Sequence, residues 1–522
     1  MFRALGNGFA NLKTAVVSGN VHVLFSMITD FVGAGQLKVT IGSLPDEALL
    51  EIFAFYQQGA DYNQEEWIAL VHVCRGWRYI VFASPLRLDL RLRVRGKIHK
   101  REMLDIWPAL PIAISPYTSR LTRVPKITEN VITALGYRDR VCRIALWYFT
   151  VPGRKLGRFL EMMQHPFPAL TCLALWDWLN DDEEAVVISD SFLGGSAPLL
   201  QSLYLTHIAF PALPKLLLSA NHLVDLHLRD IAHAGYISPE VMVASLSSMT
   251  KLQYLGLAFG SPHSRPSRAS QRPPPMIRTT LPALTRFRFK GVSEYVEDFV
   301  ARIDAPLLCN IYISFFNQLV FDIPQFSHII NRVESFNRLN ATISFSSNGA
   351  SVELSSETHD RLLLEISCRQ ADWQLSSVVQ FCGMSLHPVA TSENLTVTID
   401  SGNPRHLGRF DIEHSQWEEL LYPFTNVKNL YLAEDVGLHI TTALQGLVGE
   451  SVTQVLPALQ RLFITGLEPT QEVAESFTAA RQCLGRPVAI RWWEEGRKAE
   501  YRFDESEQKL DSEWESDLEV DD

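Results

Sequence analysis

One phrase recurs along this chain and limits what it can fold into. It reads FPALTCLAL at Phe167–Leu175, APLLQSLYL at Ala197–Leu205, ANHLVDLHL at Ala220–Leu228 and MTKLQYLGL at Met249–Leu257. It returns as LPALTRFRF at Leu281–Phe289, APLLCNIYI at Ala305–Ile313, FTNVKNLYL at Phe424–Leu432 and LPALQRLFI at Leu456–Ile464. The shared template is L-x-x-L-x-L, with aromatic and other apolar residues standing in for Leu. Alternation in its second half predicts a short strand with one face buried. The opening L-x-x turns the chain into that strand. Anchors Leu170, Leu200, Leu223, Leu252, Leu284 and Leu308 lie 30, 23, 29, 32 and 24 residues apart. DRVCRIALW (Asp139–Trp147) reads as an earlier, degenerate copy. Helical patterns fill the gaps: LGRFLEMMQ, PALPKLLLSA and SPEVMVASLSSM. Strand, helix and strand at this period predict a right-handed parallel stack in which each unit buries its neighbour. A single copy would suit any α/β domain; eight copies point to a repeat.

The phrase resembles leucine-rich repeats, although its period is irregular and the Asn position of that template is not evident. The expected class is therefore α/β, with the body at 89–503 an irregular leucine-rich-repeat-like solenoid built on a curved parallel sheet. The Pro- and Arg-rich stretch at 261–278 is expected to be a disordered loop. Residues 340–403 carry no clear repeat. There ATISFSSNGASVELSS predicts a hairpin about Asn348-Gly349, and LLLEISCR and NLTVTID predict further strands. VAIRWW, near the end, reads as a last strand or cap.

Ahead of the body, residues 41–88 form a helical module. Pro45 has no N–H to lose and suits a first turn, and Asp46 and Glu47 follow where negative charge is favoured. Leu49, Leu50, Ile52, Phe53 and Tyr56 recur at helical spacing. After the polar break GADYNQEE, a second helical pattern runs through Trp67, Leu70, Val71, Cys74, Trp77, Ile80 and Val81, and Pro85 ends it. A unit of about 40 residues is marginal alone, so it must lean on the rest of the chain or on another protein.

The wording LPDEALLEIF followed by VCRGWR resembles the F-box, the module that joins a substrate receptor to the Skp-type adaptor of a cullin ubiquitin ligase. Leu44 and Pro45 match its opening, Leu49, Ile52 and Phe53 its first-helix apolar positions, and Val73, Cys74, Arg75, Trp77 and Arg78 its closing pattern. Ala48 stands where that family more often has Leu or Ile, and the polar break is longer than usual. REMLDIWPALPIAI, DSFLGGSAPLLQSLYL and RFRFKGVSEYVEDFVARIDAPLL resemble phrases of a large group of fungal F-box proteins. The resemblance implies that Leu44, Pro45, Leu49, Leu50, Ile52, Phe53, Val73, Cys74 and Trp77 meet the adaptor. Through it they would reach a cullin, while the body holds an unidentified protein substrate. The rival expectation is a protein-binding scaffold without a ligase, its helices capping the solenoid.

Composition narrows the remaining classes. The net charge is −11, and −9 of it lies in the acidic tail 504–522; the other 503 residues carry −2. A nearly neutral body gives no phosphate-tracking surface, so nucleic acid is not an expected partner. The tail cannot fold on its own. The seven cysteines show no CxxC spacing, which argues against a zinc ribbon or disulfide framework and for reduced, mostly buried thiols in an intracellular protein, cytoplasmic or nuclear. No run of 18 uncharged apolar residues occurs, so no membrane span is expected; residues 1–40 read as an extension without the pattern of a signal peptide. No GxSxG, GxxxxGK[ST] or HExxH occurs. His207, His222, His227 and His233 are close in sequence but should fall on different faces. No enzyme activity, cofactor or metal site is expected.

Overall fold

The computed structural model describes residues 44–58, 67–94 without 86, 109–115, 124–146, 155–177, 185–266 without 265, 278–317, 321–333, 336, 340–356, 360–383, 386–399, 414–465 and 468–493. The expected extension at 1–40, most of the 261–278 loop and the acidic tail lie outside these residues. The fold is mixed α/β with a large, mostly parallel sheet. It divides into two compact units, one holding the chain up to Lys155 and the other running from Leu156 to Ala499.

The first unit opens with helices α1 (Asp46–Gln58), α2 (Trp67–Val73) and α3 (Arg75–Ala83). Pro45 sits just before α1 and its carbonyl accepts from the N–H groups of Ala48 and Leu49 at 3.0 and 3.1 Å. The apolar pattern from Trp67 to Val81 leaves the module with two or three helices; among the described residues the chain takes three, breaking this stretch at Cys74. Cys74 is extended (φ −157°, ψ 171°), and its Sγ accepts from the N–H of Trp77, capping α3. The apolar period carries across this break, so hydrophobic spacing alone does not reveal it. Phe53 and Trp77 lock α1 to α3 with ring centroids 4.7 Å apart, and Trp67 meets Phe82 at 6.0 Å. Strands β1 (Leu92–Val94), β2 (Ile112–Ile114) and β3 (Val141–Leu146) follow, all parallel. The degenerate copy at 139–147 is β3.

In the second unit every repeated phrase ends in a strand. These are β4 (Cys172–Trp176), β5 (Ser202–Thr206), β6 (Asp225–Ile231), β7 (Tyr254–Phe259), β8 (Arg286–Gly291) and β9 (Asn310–Phe315), side by side in chain order. Within the non-repeating section 340–403 lie β10 (Asn340–Phe345), β11 (Gly349–Ser355), β12 (Arg361–Ser367) and β13 (Asn394–Ile399). Then follow β14 (Asn429–Leu432), β15 (Arg461–Ile464) and β16 (Ala489–Trp492). In space β9 is followed by β12, β11 and β10, and then by β13 to β16. Among the described residues of this sheet, only β11 runs antiparallel to its neighbours.

The template has a direct structural meaning. In seven of the eight copies the fourth residue donates its N–H to the carbonyl of the first: Leu170 to Phe167, Leu200 to Ala197, Leu223 to Ala220, Leu252 to Met249, Leu284 to Leu281, Leu308 to Ala305 and Leu459 to Leu456. That tight turn aims the chain into the strand. The fifth residue then joins the stack: the Thr171 carbonyl accepts from Gln201 and Ser202, and Gln253 from Thr285 and Arg286. Strand residues such as Leu226, Leu228, Phe287 and Phe289 are buried against helices; Tyr295 and Phe299 of helix Ser293–Val300 stack on Phe289 and Phe287. The alternate residues point the other way; Arg286, Arg288, Lys290, Asn310 and Tyr312 are half-buried, while His227, Tyr254 and Ser314 are covered by their neighbours. Parallel sheets are usually covered on both faces; this one keeps an open face.

The hairpin about Asn348-Gly349 is present and widens the sheet. Its glycine is there for close approach: a Cβ on Gly349 would lie 2.3 Å from the Ile366 carbonyl oxygen in the adjacent strand. Gly349→Ala is expected to lower stability by about 1–3 kcal/mol, read as a shifted midpoint in urea unfolding.

Candidate functional site

Two surfaces present groups in a form that a partner can use. The first lies on the helical module. Of the nine residues implied by the resemblance, Leu49, Leu50, Phe53 and Trp77 are buried within the chain, where they form the core of the three helices. Leu44 and Ile52 are half-buried, and Pro45, Val73 and Cys74 are exposed. Val73 is 41% exposed and Tyr79, one turn into α3, is 74% exposed. Around Tyr79 an open groove is lined by Arg75, Arg78, Phe82 and Ala83. The side chain of Arg78 is tied back, its Nε donating to the Val71 carbonyl at 2.9 Å.

The second is the open sheet face. On β6 it carries Asp225, His227 and Arg229; on β7 Tyr254, Gly256 and Ala258; on β8 Arg286, Arg288 and Lys290; on β9 Asn310, Tyr312 and Ser314. The sequence RFRFK puts phenylalanine into the core and three cations outward, at steps of two. Each cation lies near an aromatic ring: Arg286 over Tyr254 at 5.4 Å, Arg288 over Tyr312 at 4.5 Å and Lys290 over Phe316 at 6.0 Å. The small residues Gly256 and Ala258 leave a hollow of about 270 Å³ between the cations of β6 and β8. Gly256 is needed there, because the Tyr254 ring occupies the space a Cβ would take.

His227 stands at the wall of this hollow, sandwiched between Tyr204 and Tyr254 with ring centroids 4.3 and 3.9 Å away. It is 4% exposed, and neither ring nitrogen has a hydrogen-bond partner. An unsatisfied buried polar group costs about 1–3 kcal/mol. Desolvation, reinforced by Arg229, Arg286 and Arg288, holds its pKa well below the usual histidine value, so the ring is neutral near pH 7. Burial also raises the carboxyl of Asp225, offset by the Ser202 hydroxyl, which donates to it at 3.2 Å, and by Arg286. Farther along the same face Asn340, Asn394 and Asn429 form a ladder of side-chain amides, each link 2.7 Å.

Sequence reasoning named none of these residues as a site. The alternation of charge at Arg286, Arg288 and Lys290 was a usable signal, but the ring stack was not, since it joins three separate copies. All seven cysteines are free; Cys142, Cys368 and Cys382 are buried, the others half-buried or exposed, so burial is less general than expected. No group of three His, Cys, Asp or Glu suited to a metal occurs among the described residues, nor a helix long and apolar enough to cross a membrane. Comparison with protein-family models and with curated proteins gives no match.

Proposed function

We propose that the chain is the substrate-recognition subunit of a Skp–cullin–F-box type ubiquitin ligase, non-enzymatic in itself. One observation carries this reading: α1 and α3 close a core on Phe53 and Trp77 yet leave Leu44, Pro45, Ile52, Val73 and Tyr79 at or near the surface. The motif residues thus divide into those that shape the module and those left to meet an adaptor. Burial of the latter would drive association. The stacked body would then hold the substrate at a fixed place, and its contribution to transfer would be proximity.

The test is co-precipitation of the full chain with a purified Skp-type adaptor. Wild type is expected to bind. Leu44→Ala/Pro45→Ala and Val73→Asp are each expected to weaken binding at least about tenfold while the chain stays folded with only a small drop in melting temperature, because Pro45 and Val73 are exposed and Leu44 is half-buried. A second reading, a protein-binding scaffold without a ligase, is favoured by the internal burial of Leu49, Leu50, Phe53 and Trp77, which a purely self-capping module would also show. If wild type fails to bind the adaptor, the scaffold reading stands.

A further inference from the structure

We propose that the hollow on the open sheet face, walled by Arg229, Arg288, Lys290 and His227, binds a phosphate monoester. The inference uses residues of the second unit only and holds whether or not the adaptor binds the first. Three cations face two carboxylates in the lining, Asp230 and Glu365. Glu365 accepts from the Tyr312 hydroxyl, which holds its carboxylate at the side of Tyr312. The lining keeps a net charge of +1, which favours a small anion, and the two acids disfavour a long polyanion laid across the face. At about 270 Å³ the hollow falls just below the usual range of small-molecule sites and suits one compact charged group.

The chemistry of the donors selects phosphate. Guanidinium groups pair with phosphate oxygens through two parallel N–H bonds, and the ammonium of Lys290 adds a point charge. His227 supplies the second, independent observation. It is buried, lines the hollow and holds two ring nitrogens with nothing to bond. A neutral imidazole can donate one N–H to a phosphate oxygen and accept from a protonated one. Its flat neighbours Tyr204 and Tyr254 fix the ring in place before a ligand arrives. A phosphorylated side chain and a small phosphorylated metabolite share this chemistry.

Isothermal titration of the full chain tests the site. The probes are O-phosphoserine, a nonapeptide bearing one phosphoserine, the same peptide with Ser or Glu in its place, and a 12-nucleotide single-stranded RNA. Both phosphorylated probes are expected to bind, the Ser peptide not at all, and the Glu peptide at least about tenfold more weakly. Arg288→Gln is expected to cost about tenfold, and Arg229→Gln and Lys290→Gln several-fold each. Lys251→Gln, outside the hollow, is expected to change nothing. A phosphopeptide at least tenfold tighter than O-phosphoserine assigns a polypeptide source; equal affinities assign a small metabolite. Should a variant fail to fold, the wild-type imidazole resonance of His227, identified by its loss in His227→Phe, must move on saturation with O-phosphoserine. A stationary resonance, equal binding of Ser and phosphoserine peptides, or preference for the RNA overturns the proposal.

Discussion

Phe53→Ala is expected to destabilise the helical module by about 3–5 kcal/mol, the usual cost of truncating a buried phenylalanine. Phe53 is 1% exposed and rests on Trp77, so the change opens a cavity where α1 meets α3. These helices are 13, 7 and 9 residues long, too short to persist without that contact. Hydrogen exchange should therefore rise across Asp46–Gln58 and Trp67–Ala83, with the strands of the second unit unchanged. Adaptor binding should vanish in the same variant. The contrast with Val73→Asp is the informative part: one change removes binding by unfolding the module, the other by altering its surface alone. If Phe53→Ala leaves exchange in the helices unaltered, the core described for them is wrong.

What the sequence disclosed follows from the range of each interaction. The strands at Cys172–Trp176 through Asn310–Phe315 were legible because turn and alternation sit within nine residues of chain. Leu92–Val94 and Ile112–Ile114 were not, since three residues give no period to detect. The break at Cys74 hid behind apolar spacing that continues straight through it. The Asn348-Gly349 turn was found, but for a partial reason: no positive φ occurs at Gly349, and the constraint is the Ile366 carbonyl in the adjacent strand. The surface on the open face was least legible. His227 gains its character from Tyr204 and Tyr254, which lie 23 residues before and 27 after it. Their register across β5, β6 and β7 exists only once the copies have stacked.

Arg481→Met is expected to cost the second unit about 2–4 kcal/mol, at about 1–3 kcal/mol for each buried acceptor left without a donor, although it exchanges a charge for an apolar chain of similar reach. Arg481 lies on helix Glu468–Cys483 and is wholly buried. Its Nη1 donates to the carbonyls of Val452 and Val455 at 2.8 and 3.2 Å, and its Nη2 to Leu456 at 3.3 Å. These carbonyls belong to the end of helix Ser451–Gln454 and the turn after it, where the last helical C=O groups have no partner of their own. No ion pair among the described residues neutralises the guanidinium; the three carbonyl dipoles and the Phe477 ring, 5.8 Å away, take that part. Met would fill the space yet take the guanidinium donors from the carbonyls of Val452 and Val455, while Leu456 keeps the N–H of Leu459; leaving buried acceptors without donors is the costly direction of such a change. The same contacts pin Leu456 at φ 49°, a conformation that residues other than glycine rarely adopt. Leu456 also opens the LPALQRLFI copy, so its release should loosen β15 as well as the helix. Urea unfolding measures the loss. Arg481→Lys, which keeps the charge but not the fork, is expected to recover less than half of it. Full recovery by lysine would show that charge, rather than the geometry of three donors, holds this end of the sheet.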